Sequence, residues 1–149
     1  MMSNEEVPMS DPIDTFDREW HRIVAERDRL GLERVLAEDV TVGVPPYWQK
    51  LHGRTISVHL LHLIIHTIED FTYHREWRDG REFALEFTGH VGDVELQGID
   101  LISLDERCVV TNLDVLMRPV NAIIELRGVV APQMAAFLQE RAAQREDSA

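Results

Sequence analysis

A single cysteine, Cys108, stands in a chain of 149 residues, so no internal disulfide can form and nothing points to an oxidising compartment. Basic side chains are scarce too: 15 Lys and Arg face 27 Asp and Glu, a net charge of -12. That balance repels phosphate backbones and anionic lipid, which argues against nucleic acid and membrane surfaces as partners. Long apolar runs are missing. The longest, Ile56 to Ile68, is interrupted by three histidines and is too short to span a bilayer. The opening segment, Met1 to Asp11, is acidic and lacks the apolar core of a signal peptide. No nucleophile elbow, phosphate loop or dinucleotide fingerprint occurs, nor any internal repeat or linker. The expectation is a cytoplasmic protein with one domain over 1–149, ordered over about 12–144, whose 44% hydrophobic residues suffice for a full core.

Against these absences stands one rich stretch, Val94 to Pro119. Val94 to Leu104 and Val109 to Met117 are dense in Val, Leu and Ile and meet at Asp105-Glu106-Arg107, which predicts an antiparallel hairpin. Apolar residues on both faces predict strands covered on both sides, by helices on one and by a second sheet or subunit on the other. Pro119 stops the second strand, having no amide hydrogen for a ladder. Upstream, Phe71 to Arg78 and the alternating Arg81 to Val91 flank Asp79-Gly80, a strong hairpin signal, and Gly92-Asp93 turns into the central hairpin. Val40 to Val44 predicts one further short strand before Pro45-Pro46.

Helices occupy the remainder. Asp11-Pro12 predicts a cap and first turn, and Ile13, Phe16, Trp20, Ile23 and Val24 share one face of a helix running to about Asp28. A short helix is predicted after Gly31 and a third, mostly apolar, over Arg54 to Glu69. Beyond Pro119 the expectation is a helical stretch to Arg127, a break near Gly128, a last helix over Gln133 to Gln144 that Pro132 is placed to start, and a frayed tail from Arg145. The order predicts an α+β fold: a cone-shaped, strongly curved antiparallel sheet packed against three N-terminal helices, with a C-terminal helical segment.

This layout, with Gly98-Ile99-Asp100 and the closing Arg118-Pro119, resembles the nuclear-transport-factor-2-like superfamily in its SnoaL-like branch, from about Pro12 to Gln144. The resemblance implies a conical pocket on the concave face of the sheet and homodimers through the convex face. It does not imply one reaction, since isomerases, dehydratases, cyclases, epoxide hydrolases and binding proteins share the scaffold. Set beside ketosteroid isomerase, Asp100 is similar to the protonated aspartate of the oxyanion hole. The general-base position falls on Val44 and the first-helix tyrosine on Trp20. Valine cannot take a proton, and an indole only donates. In the same register Phe83, Leu113, Val115 and Met117 face inward from the sheet, as do Ser57, Leu60, Leu61 and Ile64 from the third helix. Asp114 points away unless the turn at Asp105 to Cys108 shifts the strand by one residue.

The expected function is binding of a hydrophobic or polyketide-like small molecule, with cofactor-free acid/base chemistry of the isomerase, lyase or hydrolase type. A non-catalytic binding or dimerisation module is the alternative. Asp100 is the candidate acid, either functional or a satisfied structural carboxylate. His52, in a loop at the expected rim, is the candidate imidazole for proton transfer. Trp20, Val44, Trp48, Leu60, Leu61, Ile64, Phe83, Leu113, Val115 and Met117 are the candidate substrate contacts. His90 and Glu86 offer a further acid/base pair on the opposite face. His59, His62 and His66 share one helical face. No carboxylate or cysteine at matching spacing completes a chelate, so no metal is expected there.

Overall fold

Capping chemistry sets the first two helices of the computed structural model, which describes residues 11–148. Residues 1–10 and Ala149 lie outside it, and with them most of the acidic opening segment. Helix α1, Pro12–Glu26, starts where the Asp11 carboxylate accepts from the Ile13 N–H at 2.9 Å, and it buries Phe16, Trp20, Ile23 and Val24. Helix α2, Arg29–Val35, is capped by Asp28, which accepts from the Gly31 N–H at 3.0 Å. Gly31 therefore lies inside this helix, whereas the sequence predicted its start after Gly31.

Strand β1, Leu36–Gly43, leads through β2, Leu51–His52, to α3, Arg54–Thr67. A meander follows: β3, Glu69–Asp79; β4, Glu82–Val91; β5, Val94–Leu104; β6, Val110–Arg118. The six strands stand in the order β2-β1-β6-β5-β4-β3. Pairing is antiparallel throughout the meander, as the turn signals predict, but β1 runs parallel to β6. The sheet is mixed rather than wholly antiparallel, because the α3 crossover and three hairpin reversals return β6 to β1 in the same direction. Register shifts within the β3–β4, β5–β6 and β1–β6 pairs mark irregularities of the kind that bend strands. The concave face buries Phe83, Leu85, Phe87, Ile102, Leu113 and Val115 in one core with the buried residues of α1 and α3.

The C-terminal segment corrects the sequence reading. Val120–Ser148 is one helix, α4, with Pro132 inside it and no interruption at Gly128; Arg145 to Ser148 are helical rather than frayed. Proline removes one backbone hydrogen bond and disfavours a helix interior. Packing outweighs that cost: Leu126, Val130 and Met134 recur every fourth residue and are buried, with Ala122, against the rest of the core.

Candidate functional site

Asp100 lies midway along β5, paired with Leu85 on β4 and Val115 on β6, in one row across the concave face. The residue is 6% exposed. Its partner comes from β3: the Tyr73 hydroxyl donates to Asp100 Oδ2 at 2.5 Å. From α1, the Trp20 indole N–H donates to the Tyr73 oxygen at 3.0 Å. The chain of donors thus runs one way, from indole to phenol to carboxyl. Glycine before Asp100 is required locally, since a Cβ on Gly98 would stand 2.6 Å from the Leu116 carbonyl oxygen and collide with the Phe87 ring. Phe87 in turn stacks on Phe71, ring centroids 4.6 Å apart, which fixes the strand that delivers Tyr73.

Burial pushes the Asp100 carboxyl up to about 7, against the opposing effect of the Tyr73 hydrogen bond. Among the described residues no Lys or Arg pairs with it. Burial, and then the neighbouring Asp100 charge, holds the Tyr73 hydroxyl well above its ordinary range. A carboxylic acid that titrates near neutrality can both give and take a proton, which suits general acid/base work.

Eight of the ten expected lining residues fall in two hollows. A large apolar cavity of about 510 Å³ lies between β1, β6, α3 and α4, and Val44, Leu60, Ile64, Val115 and Met117 line it. A small void of about 30 Å³ holds Asp100, with Trp20, Leu61, Ile64, Leu113 and Val115 around it. Ile64 and Val115 belong to both and form the wall between them. Phe83 lines neither; it packs on Phe16, centroids 5.5 Å apart. Ser57 is fully buried. Trp48 is 95% exposed and, with His52, lines an outer groove rather than either hollow. Asp100 and His52 therefore share no hollow.

Asp114 faces outward. It pairs with Leu101 and lies beside Gly43, where its carboxylate takes the place a Cβ would need, and Lys50 holds it at 3.0 Å. The β5–β6 irregularity falls at Ser103/Leu104, nearer the turn than this pair, so the register through Asp100 is unshifted. Glu86 and His90 do not pair with each other. Arg75 and Gln97 bind Glu86 and hold its carboxyl down at about 2, whereas His90 meets Asp70 at 2.8 Å. Along α3, His62 and His66 approach to 2.9 Å and His59 stacks on Phe137 of α4, centroids 3.9 Å apart. A different cluster, Asp17, His21 and Glu76, brings possible ligand atoms within 4.8 Å of one another. Arg78 binds both of its carboxylates, at 2.7 and 3.0 Å.

Sequence reasoning passed over Tyr73 and the roof of the cavity. Tyr73 and Phe71 alternate on one face of β3, a pattern that marks them as inward-facing. Leu126, Val130, Met134 and Leu138 recur at four-residue spacing through Pro132 and line the cavity from α4. The assumed break at Gly128 concealed that stripe.

No family model matches the sequence, and neither does any curated protein. Solved structures do. A steroid delta-isomerase from Pseudomonas aeruginosa is 31% identical, with 90% of this chain and 99% of that one covered at a TM-score of 0.81. An uncharacterised protein with a cystatin-like fold from Silicibacter pomeroyi is 30% identical, with 86% and 93% covered at 0.79. An NTF2-like protein of unknown function from Cytophaga hutchinsonii shares the fold at 14% identity, with 78% and 97% covered and a TM-score of 0.62. Both the curled sheet packed on helices and these similarities lead to one conclusion: the chain belongs to the nuclear-transport-factor-2-like superfamily, in its SnoaL-like branch.

Proposed function

We propose that this chain is a small-molecule pocket protein acting as a cofactor-free acid/base enzyme of the isomerase or lyase type, with Asp100 as the proton-transfer group. The observation that carries the proposal is the buried Asp100 carboxyl, titrating at about 7 behind a two-residue wall from a 510 Å³ apolar cavity. The cavity would hold a hydrophobic substrate, and its acidic C–H would reach the carboxyl once Ile64 and Val115 swing aside. Asp100 takes that proton as the carboxylate; the electron pair left on carbon delocalises into the adjacent carbonyl. Returning the proton at the far end of the conjugated system shifts the double bond and regenerates the carboxylate. Tyr73, itself held by the Trp20 indole, donates to Oδ2 throughout, leaving the second oxygen for substrate. The similarity to a steroid delta-isomerase supports this class of reaction.

The experiment is the isomerisation of a β,γ-unsaturated cyclic ketone, followed by absorbance and by deuterium incorporation. Removing a general acid/base should cost on the order of 10²-fold or more in kcat for Asp100→Asn. Unchanged turnover in that variant would overturn the role. Binding without turnover in the unaltered protein would favour a ligand-binding module, a reading supported by Val44 at the general-base position. Two accompanying inferences concern its surroundings. The exposed Trp77, Leu101 and Leu116 on the convex face support a homodimer, and the single Cys108 accords with a cytoplasmic setting. No described helix is long and apolar enough to cross a membrane.

A further inference from the structure

In a chain of net charge -12, the large cavity is inverted in sign. Its lining contains Lys50 and Arg127 and not one carboxylate. The two cations are not equivalent. Lys50 is neutralised by Asp114 at 3.0 Å and also donates to Asn112 at 2.8 Å. Arg127 has no ion-pair partner among the described residues. Its Nε donates to the Tyr47 hydroxyl at 2.8 Å and its guanidinium lies 5.6 Å from the Tyr47 ring centroid. That contact positions the side chain at the mouth while leaving both terminal nitrogens, the fork that grips a carboxylate with two parallel hydrogen bonds. Inward of Arg127 the surface is apolar, formed by Val44, Leu60, Val130, Met134 and Leu138.

We infer that the cavity takes an amphipathic carboxylate, its hydrocarbon body under α4 and its anionic head on Arg127. The inference rests on the pocket reading above and names its ligand class. Body and head make separate demands. Burying hydrocarbon requires only the apolar walls, whereas choosing an acid over an alcohol of equal length requires an uncompensated cation at the mouth, and Arg127 supplies it. Solvent at the mouth moderates the ion pair, so its contribution is selectivity of about tenfold rather than the whole affinity.

Decanoate and 1-decanol are titrated at pH 8 into the unaltered protein and into Arg127→Gln, by displacement of an environment-sensitive fluorophore. Arg127 is exposed, so the variant is expected to fold, and a thermal melt checks it. Decanoate should bind about tenfold more tightly than decanol, and Arg127→Gln should erase most of that difference while leaving decanol within about twofold. Arg127→Lys should restore part of it. Equal binding of the two ligands by the unaltered protein, or equal loss of both in Arg127→Gln, overturns the carboxylate inference and leaves the pocket intact. Binding of neither ligand overturns both.

Discussion

Replacing Asp100 by asparagine should make the protein more stable at pH 8 and remove a pH dependence that the carboxyl imposes. The folded chain holds this group at about 7, against 3.8 for the free side chain. A raised carboxyl pKa means that the unfolded chain loses its proton first. The contribution is therefore flat below about 4, becomes steadily unfavourable to folding as pH rises from about 4 to about 7, and levels off above that. Across this window the shift corresponds to on the order of 4 kcal/mol of lost stability, at about 1.4 kcal/mol for each pH unit. Asparagine preserves the acceptor for Tyr73 but brings an amide N–H₂ into a largely apolar surrounding, a cost of about 1 kcal/mol at every pH. Below pH 4 the variant should therefore melt slightly lower than the parent; by pH 8 it should melt higher, by several degrees. The quantity to plot is the difference in Tm between the two proteins, because that cancels other carboxylates, such as Glu86, whose depressed pKa acts in the opposite direction. A flat difference curve would show that the buried carboxyl does not titrate near neutrality. A slope of the opposite sign would show that a partner stabilises its charge, and either result would refute the acid/base assignment.

Tyr73→Phe removes the hydroxyl that lowers the Asp100 pKa, so the carboxyl should titrate above 7; stability should fall by about 1–2 kcal/mol, more at pH 8 than at pH 4, measured by urea unfolding at both. Pro132→Ala restores a helical N–H in the middle of α4 and should raise stability by about 1–3 kcal/mol; no change in the thermal melt would contradict continuity of the helix. Sedimentation at micromolar concentration should show a dimer, and Leu116→Glu, placing a charge on the exposed convex face, should shift it to monomer; a monomeric parent would refute the dimer. Adding chelator should leave the Tm unchanged, since Phe137 stacks over one imidazole of the α3 trio and among the described residues no carboxylate completes the set; a drop of several degrees would mean that a metal is held.

Local chemistry made much of this protein legible from its residues. Asp11-Pro12 could cap α1 only in one place, the apolar spacing from Phe16 to Val24 fixed the buried face, and strand alternation put Asp100 on the same face as Ile102 and Gly98. Those signals act over a few residues, so sequence carries them. What it could not carry are contacts between distant segments. The parallel pairing of β1 with β6 closes a loop of about seventy residues. Tyr73 reaches Asp100 across two strand pairings, and the outward turn of Asp114 depends on the irregularity falling at Ser103/Leu104. Pro132 gives the clearest case. Its local preference is to end a helix, and the apolar stripe of α4 packed over the open side of the sheet overrides it, because burial of several side chains outweighs one missing hydrogen bond. The same packing separates a large cavity from the small void at Asp100, with Ile64 of α3 and Val115 of β6 lining both, a division set by how helix and sheet pack rather than by any property of either residue alone.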